Sequence, residues 1–174
     1  TPPATWDELL DMAAALTDRE QGYYGFLMQM SDQYHTFPLF SATGGYVFGT
    51  NPDGTLNPLD VGLNNEGSVR GLEVFDHLIE SGLLPVGTDY NTMTSLFNQG
   101  RVGMIISGPW ALGDAAAAGI DFGFTRIPTI DGGQPAPFVG VQGFMVSAFS
   151  ENKILAEVFL KEFVVNTDTY LAMF

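Results

Sequence analysis

The sequence predicts an α/β protein. Helix-capping signals recur along the chain, and short apolar runs stand between the segments they open. Apolar residues make up 45% of the 174 residues, enough to fill a core. A chain of this length buries roughly 70% of the surface its unfolded form exposes. One domain is the default at this size, and two lobes sharing the chain are the alternative.

The elements follow in order. Thr5-Trp6-Asp7-Glu8 is a capping box, with Leu9, Leu10, Met12, Ala13 and Leu16 at helical spacing behind it and a stop near Thr17-Asp18. Tyr23 to Met28 alternates as a strand. Ser31 to Pro38 mixes polar and aromatic residues around a helix start, and Gly44-Gly45 ends that helix. Tyr46-Val47-Phe48, the turn Asn51-Pro52-Asp53-Gly54 and Thr55-Leu56 predict a hairpin. Asn64 or Asn65 caps a helix from Glu66, with Val69, Leu72, Phe75, Leu78 and Ile79 as its apolar stripe and Gly82 as its end. Asp89 caps a helix carrying Met93, Leu96 and Phe97, which Gly100 closes. A strand over 102–107 leads to a short helix opened by Pro109. Asp121 to Ile127 is expected as a strand, 128–137 as loop, and Phe138 to Ala148 as a strand broken by Gly140 and Gly143. Asn152 to Val165 predicts an amphipathic helix with Ile154, Leu155, Val158, Phe159 and Phe163 on one face. Thr167 starts a last helix.

Composition narrows the function. Twenty acidic residues against six basic ones give a net charge of −14. Nucleic acid and anionic lipid need clustered Lys and Arg, so neither is expected as a partner. The absence of cysteine excludes disulfides, thiolate chemistry and Cys-ligated zinc. No apolar run reaches the ~18 residues of a membrane span. The first residues, Thr1-Pro2-Pro3, and the helix-like end at Phe174 suggest a piece of a longer protein, mature or dissected.

The segment Ser107-Gly108-Pro109-Trp110-Ala111 places a large aromatic at a strand end, on a backbone that Gly and Pro turn. Trp110 there offers its flat face to a ligand, and the apolar face of a sugar ring suits it. The competing reading has Trp110 covering the core at a helix start. For catalysis, Asp32, Asp53, Asp60, Glu66 and Asp89 are the available carboxylates, and a glycosidase needs two of them about 5–9.5 Å apart. Each has a cap or turn reading. The chain has no G-x-S-x-G, H-E-x-x-H or P-loop. Two histidines and the short Asn51-Pro52-Asp53-Gly54 loop predict no metal site and no cofactor. His77, between Asp76 and Leu78, is read as structural or solvated.

These stretches together carry a resemblance. The chain is similar to extracellular solute-binding proteins of ABC importers, most closely the maltose/maltodextrin-binding proteins. The matching residues are Pro3 to Glu8, Tyr34-His35-Thr36-Phe37-Pro38-Leu39, Gly44 to Phe48, Asp60-Val61-Gly62, Thr88-Asp89-Tyr90, Ser107 to Ala111, Pro137 to Val141 and Leu160 to Asp168, in the family's order. The resemblance implies a periplasmic-binding-protein type II-like lobe within an incomplete two-lobe fold. Residues 1–137 would form a C-terminal-lobe-like sugar-binding domain. Residues 138–174 would be a hinge strand and helices that belong to the N-terminal lobe. The stripe from Ile154 to Phe163 then needs a partner: complementary lobe segments, a second copy or the chain's own core.

The resemblance also assigns residues. Trp110 and Tyr34 match sugar-stacking aromatics. Asp32 stands where the family carries a Glu that bonds sugar hydroxyls, with a helix N-cap as its other reading. Tyr90 matches a cleft tyrosine, or is a half-buried Tyr beside the Asp89 cap. Phe37 is read as support beside the site, and His35 as support or a surface residue. Leu112 replaces a second Trp, which narrows the aromatic surface. The implied activity is non-catalytic binding of a maltose or maltodextrin-type oligosaccharide, outside the cell or in the periplasm, delivered to a membrane ABC permease by lobe closure. A different sugar or solute, or a carbohydrate-active enzyme domain, is the alternative.

Overall fold

The computed structural model describes residues 1–141 and 143–173. The chain divides into two compact units, Thr1–Phe138 and Val139–Phe174. In the first, α1 (Trp6–Leu16) opens as its sequence requires: Thr5 Oγ1 accepts the Glu8 amide at 3.3 Å. The Glu8 carboxylate reaches back to the Ala4 amide at 2.7 Å, so the reciprocal bond falls one residue before the cap. β1 (Tyr24–Leu27) follows and runs parallel to β4 (Val102–Ile105), with Phe26 opposite Met104. α1 lies so close on β1 that a Cβ at Gly25 would overlap the Ala13 backbone. The core forms around this seam from Trp6, Leu9, Ala13, Phe26, Leu27, Met28, Leu39, Leu78, Leu84, Met93 and Ile130. The Trp6 and Phe26 rings meet edge to face, 5.9 Å apart.

α2 (Gln33–Ala42) starts on the Asp32 cap. The hairpin of β2 (Phe48–Thr50) and β3 (Leu56–Val61) is antiparallel, with an irregularity between Phe48 and Gly49. Asn65 caps α3 (Glu66–Glu80), its side chain accepting the Ser68 amide at 2.7 Å. Asp89 caps α4 (Tyr90–Asn98) through the Thr92 amide at 2.7 Å. Pro109–Ala111 forms a single 3-10 turn leading into α5 (Leu112–Ala117).

Three expectations are corrected. The buried face of α3 is Gly67, Ser68, Gly71 and Leu78, whereas Val69 and Leu72 are exposed. Small residues let the helix sit against α2: a Cβ at Gly71 would stand 2.6 Å from the Phe40 Cα. The strand expected over Asp121 to Ile127 does not form, because no neighbouring strand pairs with it among the described residues; Phe124 is exposed. The described residues of 138–148 form no strand either, for the same want of a ladder partner, and Gln142 lies outside the described residues. The loop reading of 128–137 stands with one refinement. Ile130 and Gly133 exchange backbone bonds of 3.0 and 2.8 Å across a tight turn, in which Asp131 and Gly132 both take positive φ.

The second unit holds α6 (Lys153–Phe159), which runs into a π-turn at Leu160–Val164, then α7 (Thr167–Met173). Asn166 accepts the Thr169 amide at 2.9 Å and so starts α7. The side chains of Ile154, Leu155, Phe159 and Phe163 are exposed, and the Phe159 and Phe163 rings stack 5.8 Å apart. No helix among the described residues is long and apolar enough to cross a membrane.

Candidate functional site

β1 and β4 are adjacent parallel strands, and the chain leaving each C-terminal end carries a predicted site segment. After β1 come Asp32, Tyr34, His35 and Phe37; after β4 come Ser107-Gly108-Pro109-Trp110. Crevices beyond the carboxyl ends of parallel strands are where open α/β sheets bind ligands. Parallel pairing therefore brings together two segments that lie far apart in sequence.

The side chains meet there. The Tyr34 and Trp110 ring centroids are 6.0 Å apart, and His35 lies 6.0 Å from Trp110 and 5.8 Å from both Tyr34 and Tyr90. Tyr90 enters as the first residue of α4, directly behind its Asp89 cap, so both of its readings hold in geometry. Trp110 is 51% exposed, which sets aside the reading of a tryptophan sealed into the core. Its indole lies across Gly108, where a Cβ would overlap the ring. The glycine is needed for space rather than for backbone freedom.

Asp32 is a working N-cap. One carboxylate oxygen accepts the Tyr34 amide at 2.8 Å, and the other lies 2.9 Å from His35 Nδ1. The Tyr34 amide first, and the His35 bond second, hold its carboxyl below the usual carboxylate range. The carboxylate is part-exposed, so lone pairs remain for a ligand hydroxyl. His35 is not a surface residue: it is 8% exposed and central to the cluster, and its Nε2 is buried with no hydrogen-bond partner. Phe37 supports the site by stacking on Phe138 at 4.1 Å, and Phe138 in turn lies 6.0 Å from Tyr34.

Phe138 was not among the residues singled out for the site. It arrives because the segment after the 130–133 turn crosses α2, where the Ala136 amide donates to Ser41 Oγ at 2.9 Å. Nothing in its local pattern signals this. Ser107 is a second such residue, with a buried hydroxyl that meets no partner.

The other carboxylates serve local structure. Asp53 accepts the Thr55 amide and hydroxyl at 3.0 and 2.7 Å, Asp60 accepts the Tyr46 hydroxyl at 2.9 Å, and Glu66 lies in the first turn of α3. Among the described residues no group of three His, Asp or Glu is placed to hold a metal ion. A separate groove of about 500 Å³ lies between the start of α1, α3 and the 129–132 turn, lined in part by Trp6, Arg70, Glu73 and His77. It contains none of the strand-end aromatics.

Comparison with known proteins agrees with this geometry. The family described as "Bacterial extracellular solute-binding protein" matches residues 1–174. A galactooligosaccharide-binding protein of Bacillus subtilis (strain 168) is 38% identical over 160 residues, 89% of this chain and 38% of that protein. A maltotriose-binding protein of Pyrococcus abyssi is 34% identical over 171 residues, 96% of this chain and 36% of that one. A maltodextrin-binding protein of Bacillus subtilis (strain 168) is 31% identical over 180 residues, 98% of this chain and 42% of that one. The chain thus spans about two fifths of the length of these relatives.

Proposed function

Because the chain belongs to the bacterial extracellular solute-binding protein family, we propose that it supplies the aromatic half of an oligosaccharide site in an ABC importer's receptor. The observation that carries this is the convergence of Tyr34, His35, Tyr90 and the half-exposed Trp110 beyond β1 and β4. Trp110 and Tyr34 stack on the apolar faces of successive sugar rings, and the free lone pairs of Asp32 accept a hydroxyl. Binding is non-catalytic, since the carboxylates are taken up by caps and turns. The ligand is a maltodextrin-type oligosaccharide, held outside the cell or in the periplasm and passed to a membrane permease. The galactooligosaccharide relative supports a second reading, in which the same platform takes a β-linked galactose chain.

In this reading residues 1–137 act as one sugar-binding lobe, and the stripe of 154–163 is covered by complementary lobe segments or a second copy. A lobe acting alone makes only part of the contacts, so the chain by itself binds weakly. The test is tryptophan fluorescence with maltotriose and a β-1,4-galactotriose. Trp110 reports, while Trp6 is buried against Phe26 and serves as background. A saturable response to maltotriose supports the maltodextrin reading, and one confined to the galactotriose selects the second. Silence to both, in a folded chain at millimolar sugar, sets the oligosaccharide reading aside.

A further inference from the structure

We propose that His35 is a positioning residue: protonation of its buried, unpartnered Nε2 orders the Trp110 platform and makes saccharide binding tighter in mild acid. The inference rests on the reading of Trp110 as the sugar platform.

The chemistry follows from the Asp32 contact. An ionised carboxylate only accepts, so Nδ1, at 2.9 Å from Asp32, carries the proton. In neutral His35 this leaves Nε2 as a bare lone pair, buried and without a partner. A buried polar atom in that state is costly. Its neighbours are the rings of Tyr34, Tyr90 and Trp110, with centroids 5.8 to 6.0 Å away. Aromatic faces repel a lone pair and attract a cation. Protonation at Nε2 therefore turns the one mismatched atom of the cluster into a donor that the rings hold. It also makes the Asp32 bond charge-assisted.

The groups facing His35 are few. The Asp32 carboxylate comes from the start of α2, the Tyr34 phenol from α2 and the Tyr90 phenol from α4, and Trp110 carries no charge. Among the described residues Asp32 is the only ion-pair partner of His35. Imidazole is the side chain that ordinarily changes charge between pH 5 and 8. A ring held in place before the ligand arrives costs less to order on binding. The expected gain, from one cation–π contact set, is about threefold in affinity.

The experiment uses the 174-residue chain and two readouts. The first is the dissociation constant for maltotriose at pH 5.5 and pH 8.0. The second is the Trp110 indole N–H resonance of the unliganded chain across that range. We expect about threefold tighter binding at pH 5.5 and an indole signal that follows one titration. Both dependences vanish in His35→Phe, which keeps a ring in place. His35→Gln serves as the second variant if the first fails to fold, since it keeps a donor toward Asp32 without titrating. An indole signal that is static in the wild type, or that titrates unchanged in either variant, overturns the proposal. Maltotriose bound equally at both pH values also overturns it, and leaves the proposed function standing. If neither maltotriose nor the galactotriose binds while the indole signal still follows His35, the function falls and the His35–Trp110 coupling survives.

Discussion

At the scale of single residues, the site is an arrangement of rings on a capped helix. Trp110→Ala removes the exposed platform without opening the core, so we expect an unchanged circular dichroism spectrum. Saccharide affinity should fall about tenfold or more in calorimetric titration. Gly108→Ala makes a subtler cut, because its Cβ meets the indole. The ring must swing away, and fluorescence should show a weakened sugar response in a chain that melts normally. Asp32 sets a pH limit. Its folded-state pKa lies below the unfolded value, so its contribution is complete above that value, about 3.9, and is lost as pH falls through the lowered one. Acid titration of the melting temperature should therefore show a loss below about pH 4 that is smaller in Asp32→Asn, which still caps α2.

At the scale of elements, α3 shows how packing departs from pattern. Its apolar stripe suggested Val69 and Leu72 as core, yet the helix turns its small residues inward. Gly71 lies against Phe40 and Gly67 against Gly44, a closer approach than larger side chains permit. Thr43 Oγ1 donates to the Gly67 carbonyl at 2.7 Å, and Ser68 Oγ to the Gly62 carbonyl at 2.7 Å. Gly71→Ala should thus destabilise the fold by about 1–3 kcal/mol, although alanine is the better helix former. Leu72→Ser, on the exposed face, should shift stability by no more than about 0.5 kcal/mol. Urea unfolding of the two variants checks both expectations, and equal effects would refute this packing.

At the scale of the molecule, the unit Val139–Phe174 presents a continuous apolar stripe to solvent. Exposed patches of this kind drive association. Sedimentation of the chain should show concentration-dependent self-association, and Phe163→Lys should reduce it while leaving the first unit folded. A chain that stays monomeric at high concentration would remove the second copy as a partner for the stripe.

The sequence by itself determined what short-range chemistry dictates. Thr5, Asp32, Asn65 and Asp89 each cap the helix their position announced, because a cap bonds an amide two or three residues away. Trp110 was legible as a platform because Gly108 and Pro109 turn the backbone beneath it. Only the tertiary structure decided the rest. The strands expected at 121–127 and in 138–148 depended on ladder partners, and a strand without one has nowhere to place its backbone bonds. His35 became the centre of the cluster, and Phe138 joined it, because parallel pairing of β1 with β4 and the crossing of α2 bring distant segments together. That convergence lies in no local pattern. It follows from which faces the core buries, and so from the whole chain at once.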